Sequence, residues 1–306
     1  MMRLEGIHHI TAITGNAQRN VDFYAGVLGL RLVKKTVNQD DPTVYHLFYA
    51  DEAGSPGADL TFFEYPGAAP GVAGAGMVHR IAWRVSSPEA IDFWERRLLR
   101  HGVSSERVEG GLRFADPEGL AHELGVSSAE DSPLIADHPD VPADLALAGF
   151  DGARAYAGTP EAGYGLLEEA LGFVPSDDGW EVRGDQRGGL WSYDTPPERP
   201  GRAGGGTVHH IAWASTMDDH EGWRRRVVKG GARPTEVIDR FWFYSIYFRE
   251  PSGVLFEIAT LGPGFTADEP LEHLGEKLVL PPRFEAEREQ IEARLTPIEN
   301  PRTAVR

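Results

Sequence analysis

The chain has 306 residues, of which 41% are hydrophobic and 25% charged, a composition typical of globular proteins and not of disordered or fibrous ones. Its 47 acidic residues outnumber its 30 basic ones, and the formal net charge of -17 disfavours nucleic acid or an anionic membrane as a partner. The sequence has no cysteine, which excludes disulfides, thiol nucleophiles and cysteine-ligated metals. No stretch reaches the ~20 apolar residues of a membrane span, so we expect a cytoplasmic protein.

The first part of the chain alternates between strand and helix patterns. Residues 6–14 alternate apolar and polar side chains as a strand does, and residues 20–28 carry apolar side chains at helical spacing. Residues 45–49 and 59–65 have strand patterns again, with the Gly-Ser-Pro-Gly turn of residues 54–57 between them. This order predicts one unit of a strand, a helix and about three further strands, which we call module one.

Three later segments repeat this unit. Residues 76–83 and 206–213 match each other closely, and each is followed by a helical pattern and then by a final strand. In both final strands a glutamate stands six residues after a proline, at Glu123 and at Glu257. A weaker copy covers residues 147–197. The four copies, numbered as modules one to four in chain order, predict a protein built by duplication.

The repeated βαβββ unit and several local motifs resemble the vicinal oxygen chelate superfamily, and within it the ring-cleaving extradiol dioxygenases of the hydroquinone type. The motifs that carry the resemblance are Ile-His-His-Ile-Thr at 7–11, Val-Lys-Lys-Thr-Val-Asn at 33–38, Tyr-His-Leu at 45–47, Val-His-His at 208–210, and the segments 240–257 and 262–266. The resemblance implies an α+β fold in which four βαβββ modules form two pseudo-symmetric half-barrel domains. We expect modules one and two at residues 1–140, modules three and four at 141–285, and a C-terminal helix and tail at 286–306.

A metal site is predicted from two modules. Non-haem Fe(II) oxygenases hold iron with two histidines and one carboxylate on one face of the metal. His9 and His210 occupy matching places in the first strands of modules one and four, and Glu257 lies in the last strand of module four. The resemblance implies that these three residues are the ligands. Module two has Arg80 in the matching place, so we expect modules one and four to form the metal-holding barrel. Modules two and three would form the other barrel, without a metal, where Arg80 pairs with Glu123.

The resemblance also implies catalytic residues around this site. Thr11, Arg240 and Tyr247 would line the pocket, and His8 or His209 would carry a proton. From the residues alone, His8 and His209 point away from the ligands if their strands are regular, so a structural role stays open for both.

Other segments have simpler interpretations. Strand alternation across residues 241–247 predicts that one face of the strand lines a pocket for an aromatic substrate. It places Trp242 on one face and Phe241 and Phe243 on the other. Lys34 and Lys35 are interpreted as a solvated strand end. Residues 284–295 are predicted to form a charged amphipathic helix.

Together these features predict an Fe(II)-dependent, extradiol-type dioxygenase that opens a hydroquinone or catechol-like ring with dioxygen as co-substrate; Mn(II) suits the same ligands. Glu64 supports an alternative, because a glyoxalase-like isomerase or lyase would take a fourth ligand from the corresponding strand of module one. A non-catalytic ligand-binding protein is a third interpretation, which the three metal ligands disfavour. We expect a small aromatic substrate as the partner, and a homo-oligomer is compatible with the sequence.

Overall fold

The computed structural model describes residues 2–301 of the chain. The strands in this part are β1 (Ile7–Thr14), β2 (Arg31–Asn38), β3 (Asp41–Ala50), β4 (Asp59–Glu64), β5 (Met77–Val85), β6 (Ser105–Val108), β7 (Gly111–Ala115), β8 (Ala121–Val126), β9 (Phe150–Tyr156), β10 (Val174–Ser176), β11 (Gly179–Arg183), β12 (Gly188–Asp194), β13 (Thr207–Ser215), β14 (Ile238–Asp239), β15 (Phe243–Arg249) and β16 (Leu255–Pro263). The helices are α1 (Ala17–Val21) with a π-helical continuation (Asp22–Val27), α2 (Pro88–Arg100), a π-helical segment (Gly165–Leu171), α3 (His220–Lys229) and α4 (Arg288–Glu292). Short 3-10 turns lie at Ala143–Leu145, Pro160–Gly163, Phe265–Ala267, Leu271–His273 and Pro282–Glu287.

The strands form two eight-stranded sheets of the same order. The first sheet, β14-β15-β16-β13-β1-β4-β3-β2, joins module four to module one, and the second, β10-β11-β12-β9-β5-β8-β7-β6, joins module three to module two. In each sheet the two modules meet through an antiparallel pair, β1 with β13 and β5 with β9. The predicted fold class and the predicted pairing of the modules are therefore confirmed. The domain boundaries at residues 140 and 285 stay predictions.

The predicted helix after the second repeat shows how the local sequence defines an element. The Ser87 side chain accepts a hydrogen bond from the backbone N–H of Ala90, and Pro88 occupies the first helical position, where its missing N–H costs nothing. Trp94 and Leu98, one turn apart, are fully buried. This apolar stripe packs α2 against strands β6, β7 and β8 of the second sheet.

The predicted C-terminal helix is wrong in its extent. A 3-10 turn at Pro282–Glu287 precedes α4, which has five residues. Only Ile291 and Leu295 are buried in this polar segment, and so little apolar contact does not support a longer helix. The end of the predicted tail, 302–306, lies outside the described residues. None of the helices in residues 2–301 combines the length and apolar character that a bilayer crossing requires.

The apolar core extends across both sheets. One large cluster contains fully buried tryptophans of the two sheets, Trp83 and Trp213, and of the helices α2 and α3, Trp94 and Trp223. A second, smaller cluster contains Val33, Phe48, Ala212, Trp242, Phe243 and Phe265. Ala212 lies opposite His9 in the β1–β13 pair, so this second cluster adjoins the predicted metal ligands.

Candidate metal centre and cavity

Both histidine doublets lie at β-bulges in the central strand pair of the first sheet. The register between β1 and β13 shifts by one residue twice, so that His8 is an extra residue of β1 and His209 is an extra residue of β13. A bulge sets two residues of one strand against one of its partner, and side chains no longer alternate there. The expectation for regular strands, that His8 and His209 point away from the ligands, is wrong. His8 Nδ1 lies 2.9 Å from His9 Nδ1, and His209 Nδ1 lies 2.8 Å from His210 Nδ1.

The three predicted metal ligands converge in one buried group. The Nε2 atoms of His9 and His210 are 3.3 Å apart and lie 3.2 and 3.0 Å from Glu257 Oε2. Glu257 Oε1 accepts a hydrogen bond from the Ser245 hydroxyl, whereas Oε2 accepts none within residues 2–301. Burial opposes ionisation of Glu257, but His9 and His210 outweigh it and hold its pKa well below the usual range. An anionic, buried carboxylate oxygen beside two imidazole nitrogens is a set of ligand atoms that fits a divalent metal.

A hydrogen-bond relay determines which nitrogen of His9 is free. His8 Nε2 lies 3.0 Å from the carbonyl oxygen of Thr260, which can only accept, so His8 Nε2 carries a proton. Burial, with a smaller contribution from His9, lowers the pKa of His8 to about 3, so its ring is neutral and its Nδ1 accepts. His9 must then donate from Nδ1, which leaves the lone pair of Nε2 directed at the convergence point. His209 stands in the same relation to His210 but is exposed.

A cavity borders this group, and its empty space, counted out to the open mouth, is about 360 Å³. Aromatic side chains form much of its wall, and polar groups stand at the metal side and at the mouth. The lining residues are His9, Asn38, Gln39, Asp40, His46, Phe48, Phe63, His210, Arg240, Trp242, Phe243 and Tyr247.

Arg240 and Tyr247 both line the cavity. The guanidinium of Arg240 donates two parallel hydrogen bonds to the Asp40 carboxylate, at 3.0 and 2.9 Å, and lies over the Tyr247 ring, 5.4 Å from its centre. The Tyr247 ring meets the His210 ring edge-to-face at 5.6 Å. Burial, with the charge of Glu257, raises the pKa of Tyr247, so its hydroxyl stays protonated and can donate a hydrogen bond.

The aromatic segment before β15 departs from the predicted alternation. Phe241 has a φ of 72°, a left-handed conformation that is uncommon for an aromatic residue, and the β15–β16 register shifts after Phe243. Trp242 and Phe243 therefore both border the cavity, and the prediction that they lie on opposite faces is wrong. The Phe243 ring packs 5.3 Å from His8 and 5.2 Å from His9, so it closes one side of the metal group.

The prediction that Lys34 belongs to a solvated strand end is wrong. Its side chain is fully buried, and its ammonium group contacts the carbonyl oxygen of Phe265 at 3.1 Å, Asp268 at 2.8 Å and Glu269. Asp268 also accepts a hydrogen bond from the Trp242 indole at 3.0 Å. The buried cation thus ties the chain after β16 to the wall of the cavity.

Glu64 is not a fourth ligand. In the parallel pair β13–β16, Glu257 lies opposite Ala212, two residues after His210, and in β1–β4 the corresponding residue is Thr61. Glu64 lies three residues further along β4, where its carboxylate accepts a hydrogen bond from the backbone N–H of Ala17 at 3.1 Å. Glu64 therefore gives no support to the four-ligand site on which the isomerase or lyase alternative depended.

Thr11 stands behind the cavity and not in its lining. It is fully buried, and its hydroxyl lies 2.8 Å from the hydroxyl of Thr61, which lies 2.8 Å from Nε2 of His46. His46 does border the cavity, between the rings of Phe48 and Phe63 at 4.0 and 4.4 Å. Sequence reasoning did not place His46 at the site, although the Tyr-His-Leu motif of β3 contains it.

The second sheet has different residues in the equivalent positions. Arg80 stands in the place of His210 and Gly152 in the place of His9, according to the matching registers. The predicted ion pair between Arg80 and Glu123 is confirmed, with a distance of 3.0 Å, and Arg113 also contacts this carboxylate at 2.7 Å. Glu123 is thus the counterpart of Glu257, with arginines as its partners.

The fold and the three converging side chains agree with what known proteins show. The family model of the Glyoxalase/Bleomycin resistance protein/Dioxygenase superfamily matches residues 6–124 and 151–258, and the chain belongs to this superfamily. The resemblance seen in the sequence is confirmed.

Named proteins and a solved structure match this chain over nearly its full length. "Putative ring-cleaving dioxygenase MhqO" of Bacillus subtilis (strain 168) is 43% identical over 303 residues and is matched over 96% of both chains. "Chlorohydroquinone/hydroquinone 1,2-dioxygenase" of Sphingobium indicum is 33% identical over 308 residues, which cover 94% of this chain and 95% of the relative. A solved structure of a "putative dioxygenase from Bacillus subtilis subsp. subtilis str. 168" has a TM-score of 0.91 at 42% identity and covers 98% of this chain and 99% of that one.

Proposed function

We propose that the protein is an Fe(II)-dependent, extradiol-type dioxygenase that opens the ring of a hydroquinone or catechol-like substrate. The observation that carries the proposal is the buried convergence of His9 Nε2, His210 Nε2 and Glu257 Oε2 beside a cavity with aromatic walls. The relatives named as ring-cleaving dioxygenases match the chain over nearly its whole length, which supports the same reaction class.

His9, His210 and Glu257 are the residues that would hold the metal. A bound Fe(II), or Mn(II), would act as a Lewis acid that favours the phenolate form of the substrate and would bring it together with dioxygen. Thr61 stands where a fourth ligand would be, and its hydroxyl is engaged by Thr11 and His46. This supports a three-ligand site with room for two reactants over the four-ligand site of an isomerase.

The side chains around the cavity supply binding and charge stabilisation. Tyr247 presents a protonated hydroxyl, and Arg240 presents a cation that can stabilise negative charge on a ring oxygen. Phe48, Phe63 and Phe243 pack around the histidines of the site and exclude water from the reacting ring.

The two bulge histidines are expected to differ in role. Both ring nitrogens of His8 are engaged, by His9 and by the Thr260 carbonyl. His8 therefore orients the ring of His9 and keeps its own proton. His209 is exposed, which favours it over His8 as the group that exchanges a proton between the site and solvent.

Oxygen uptake by metal-reconstituted protein tests the proposal. Protein purified without oxygen is loaded with Fe(II), Mn(II) or Zn(II), and uptake is measured with a small panel of hydroquinones and catechols. We expect uptake with Fe(II), matched by a ring-opened chromophore, and none with Zn(II), which has no redox chemistry.

A matched pair of variants supplies the control. Glu257→Gln should lose both metal binding and oxygen uptake, whereas Glu123→Gln, which changes the equivalent residue of the second sheet, should keep both. Full uptake by Glu257→Gln would contradict the proposal. A cytoplasmic location and a homo-oligomer stay predictions from the sequence.

A further inference from the structure

A chain of hydrogen-bonding groups leads from Thr11, in the buried strand β1 of the first sheet, to the cavity. The hydroxyl of Thr11 lies 2.8 Å from that of Thr61, and the latter lies 2.8 Å from Nε2 of His46. Both threonines are fully buried and lie opposite each other in the parallel pair of β1 and β4. The chain ends at His46, which lines the cavity.

The direction of the hydrogen bonds in this chain follows from the need of each buried hydroxyl to donate. Within residues 2–301, Thr61 is the partner of the Thr11 hydroxyl, so Thr11 donates to Thr61. Thr61 then donates to its other partner, Nε2 of His46, which must accept. Burial lowers the pKa of His46 well below its usual value, so the ring is neutral. A neutral imidazole that accepts at Nε2 carries its proton on Nδ1.

The His46 ring is rigidly held and its Nδ1–H is free to serve a ligand. The ring packs between Phe48 and Phe63 and borders the same cavity as His9 and His210. Within the described part of the chain, Nδ1 of His46 has no hydrogen-bond partner, and His46 makes no ring contact with His9 or His210. His46 is not part of the group formed by His9, His210 and Glu257, and it adds a separate hydrogen-bond donor to the cavity wall.

We propose that His46 is a catalytic residue of the dioxygenase reaction, and that its Nδ1–H donates a hydrogen bond to the substrate ring oxygen that is not held at the three ligands. Thr11 and Thr61 are positioning residues, because they hold His46 in the tautomer that presents this donor. The inference rests on the proposed function and narrows its substrate class. A second oxygen across the ring distinguishes a hydroquinone from a catechol, whose two oxygens are neighbours, so a donor to that oxygen would select for the hydroquinone.

Binding measurements without oxygen test the donor directly. Dissociation constants of hydroquinone and of 4-methylphenol, which lacks the far oxygen, are compared for Fe(II)-loaded wild type and His46→Phe. Phenylalanine suits the aromatic packing between Phe48 and Phe63, so the fold should be kept. The preference for hydroquinone over 4-methylphenol should fall about fivefold to tenfold in the variant, as for loss of one neutral hydrogen bond. An unchanged preference would overturn the proposal.

The tautomer of His46 provides the test for the two threonines. In a ¹⁵N NMR spectrum of the Zn(II)-loaded protein, His46 should show a protonated Nδ1, and Thr61→Val should shift this pattern while Thr61→Ser restores it. A protonated Nε2 in the wild type would refute the assigned direction of the chain. Oxygen uptake separates the two proposals: uptake by wild type with an unchanged binding preference in His46→Phe overturns only the role of His46, whereas no uptake by wild type overturns both.

Discussion

Replacement of His8 by alanine is expected to weaken metal binding far more than replacement of His209, although the two residues are counterparts at equivalent bulges. Metal binding at Nε2 of His9 forces the proton of that ring onto Nδ1, which donates to His8. His8 is 5% exposed and also donates to the Thr260 carbonyl, so the space that it would leave is cut off from bulk solvent. In His8→Ala the metal-bound state therefore contains a buried donor without an acceptor.

The size of the effect follows from that unmade hydrogen bond. An unsatisfied buried donor costs about 1–3 kcal/mol, which corresponds to roughly fivefold to 150-fold weaker metal binding. His209 is exposed, so water can accept the hydrogen bond from His210 in His209→Ala. That variant should bind metal within about threefold of the wild type.

Competition with a chelator under anaerobic conditions measures both affinities, with Mn(II) as the metal because it does not oxidise during the titration. His209→Ala is the matched control, since it removes the same side chain from the equivalent bulge. Equal losses in the two variants, or a larger loss in His209→Ala, would refute the assigned relay.

Three further predictions concern stability and specificity. Burial lowers the pKa of His122 from 6.5 to about 3, so the unfolded chain takes up this proton over a range in which the folded chain does not, and stability at neutral pH is lost as the pH falls through that window. His122→Gln should reduce the slope of unfolding free energy against pH by about 1.4 kcal/mol per pH unit between about pH 6 and pH 4. Urea titrations at several pH values measure this free energy, and the same pH dependence in the variant and the wild type would contradict the prediction. Lys34→Met should lower the unfolding free energy by about 3 kcal/mol, because Glu269 loses its buried cation; a loss below about 1 kcal/mol would show that the ion pair adds little. Asp40→Asn should free the guanidinium of Arg240 and raise kcat/KM for 2,5-dihydroxybenzoate relative to hydroquinone about fivefold, whereas an unchanged ratio would show that Asp40 does not limit binding of a carboxylate.

The pairing of modules and the three metal ligands could be predicted because duplication makes positions comparable. His9 and His210 occupy matching places, and only modules one and four have a histidine there, so their meeting in one sheet follows from the sequence. The Arg80–Glu123 pair follows from the same comparison, since an arginine replaces a ligand histidine while the glutamate stays.

The features that the sequence did not predict depend on strand register and on long-range contacts, which residue patterns do not determine. A bulge moves a single residue, and nothing in the His-His doublets marks which of the two is the extra one. Glu64 was a candidate because it lies in the appropriate strand, but a shift of three residues makes Thr61 the equivalent position. The burial of Lys34 depends on two carboxylates more than 230 positions away in the chain, a long-range contact that local patterns do not reveal.

The most direct test of the account is the stoichiometry of oxygen consumed to hydroquinone lost by the Fe(II)-loaded protein, measured beside His210→Ala. The account predicts one dioxygen consumed for each ring opened by the wild type, and neither bound iron nor oxygen uptake by the variant. Conversion of a substrate by the wild type at an equal rate without oxygen, or full oxygen uptake by His210→Ala, would contradict it.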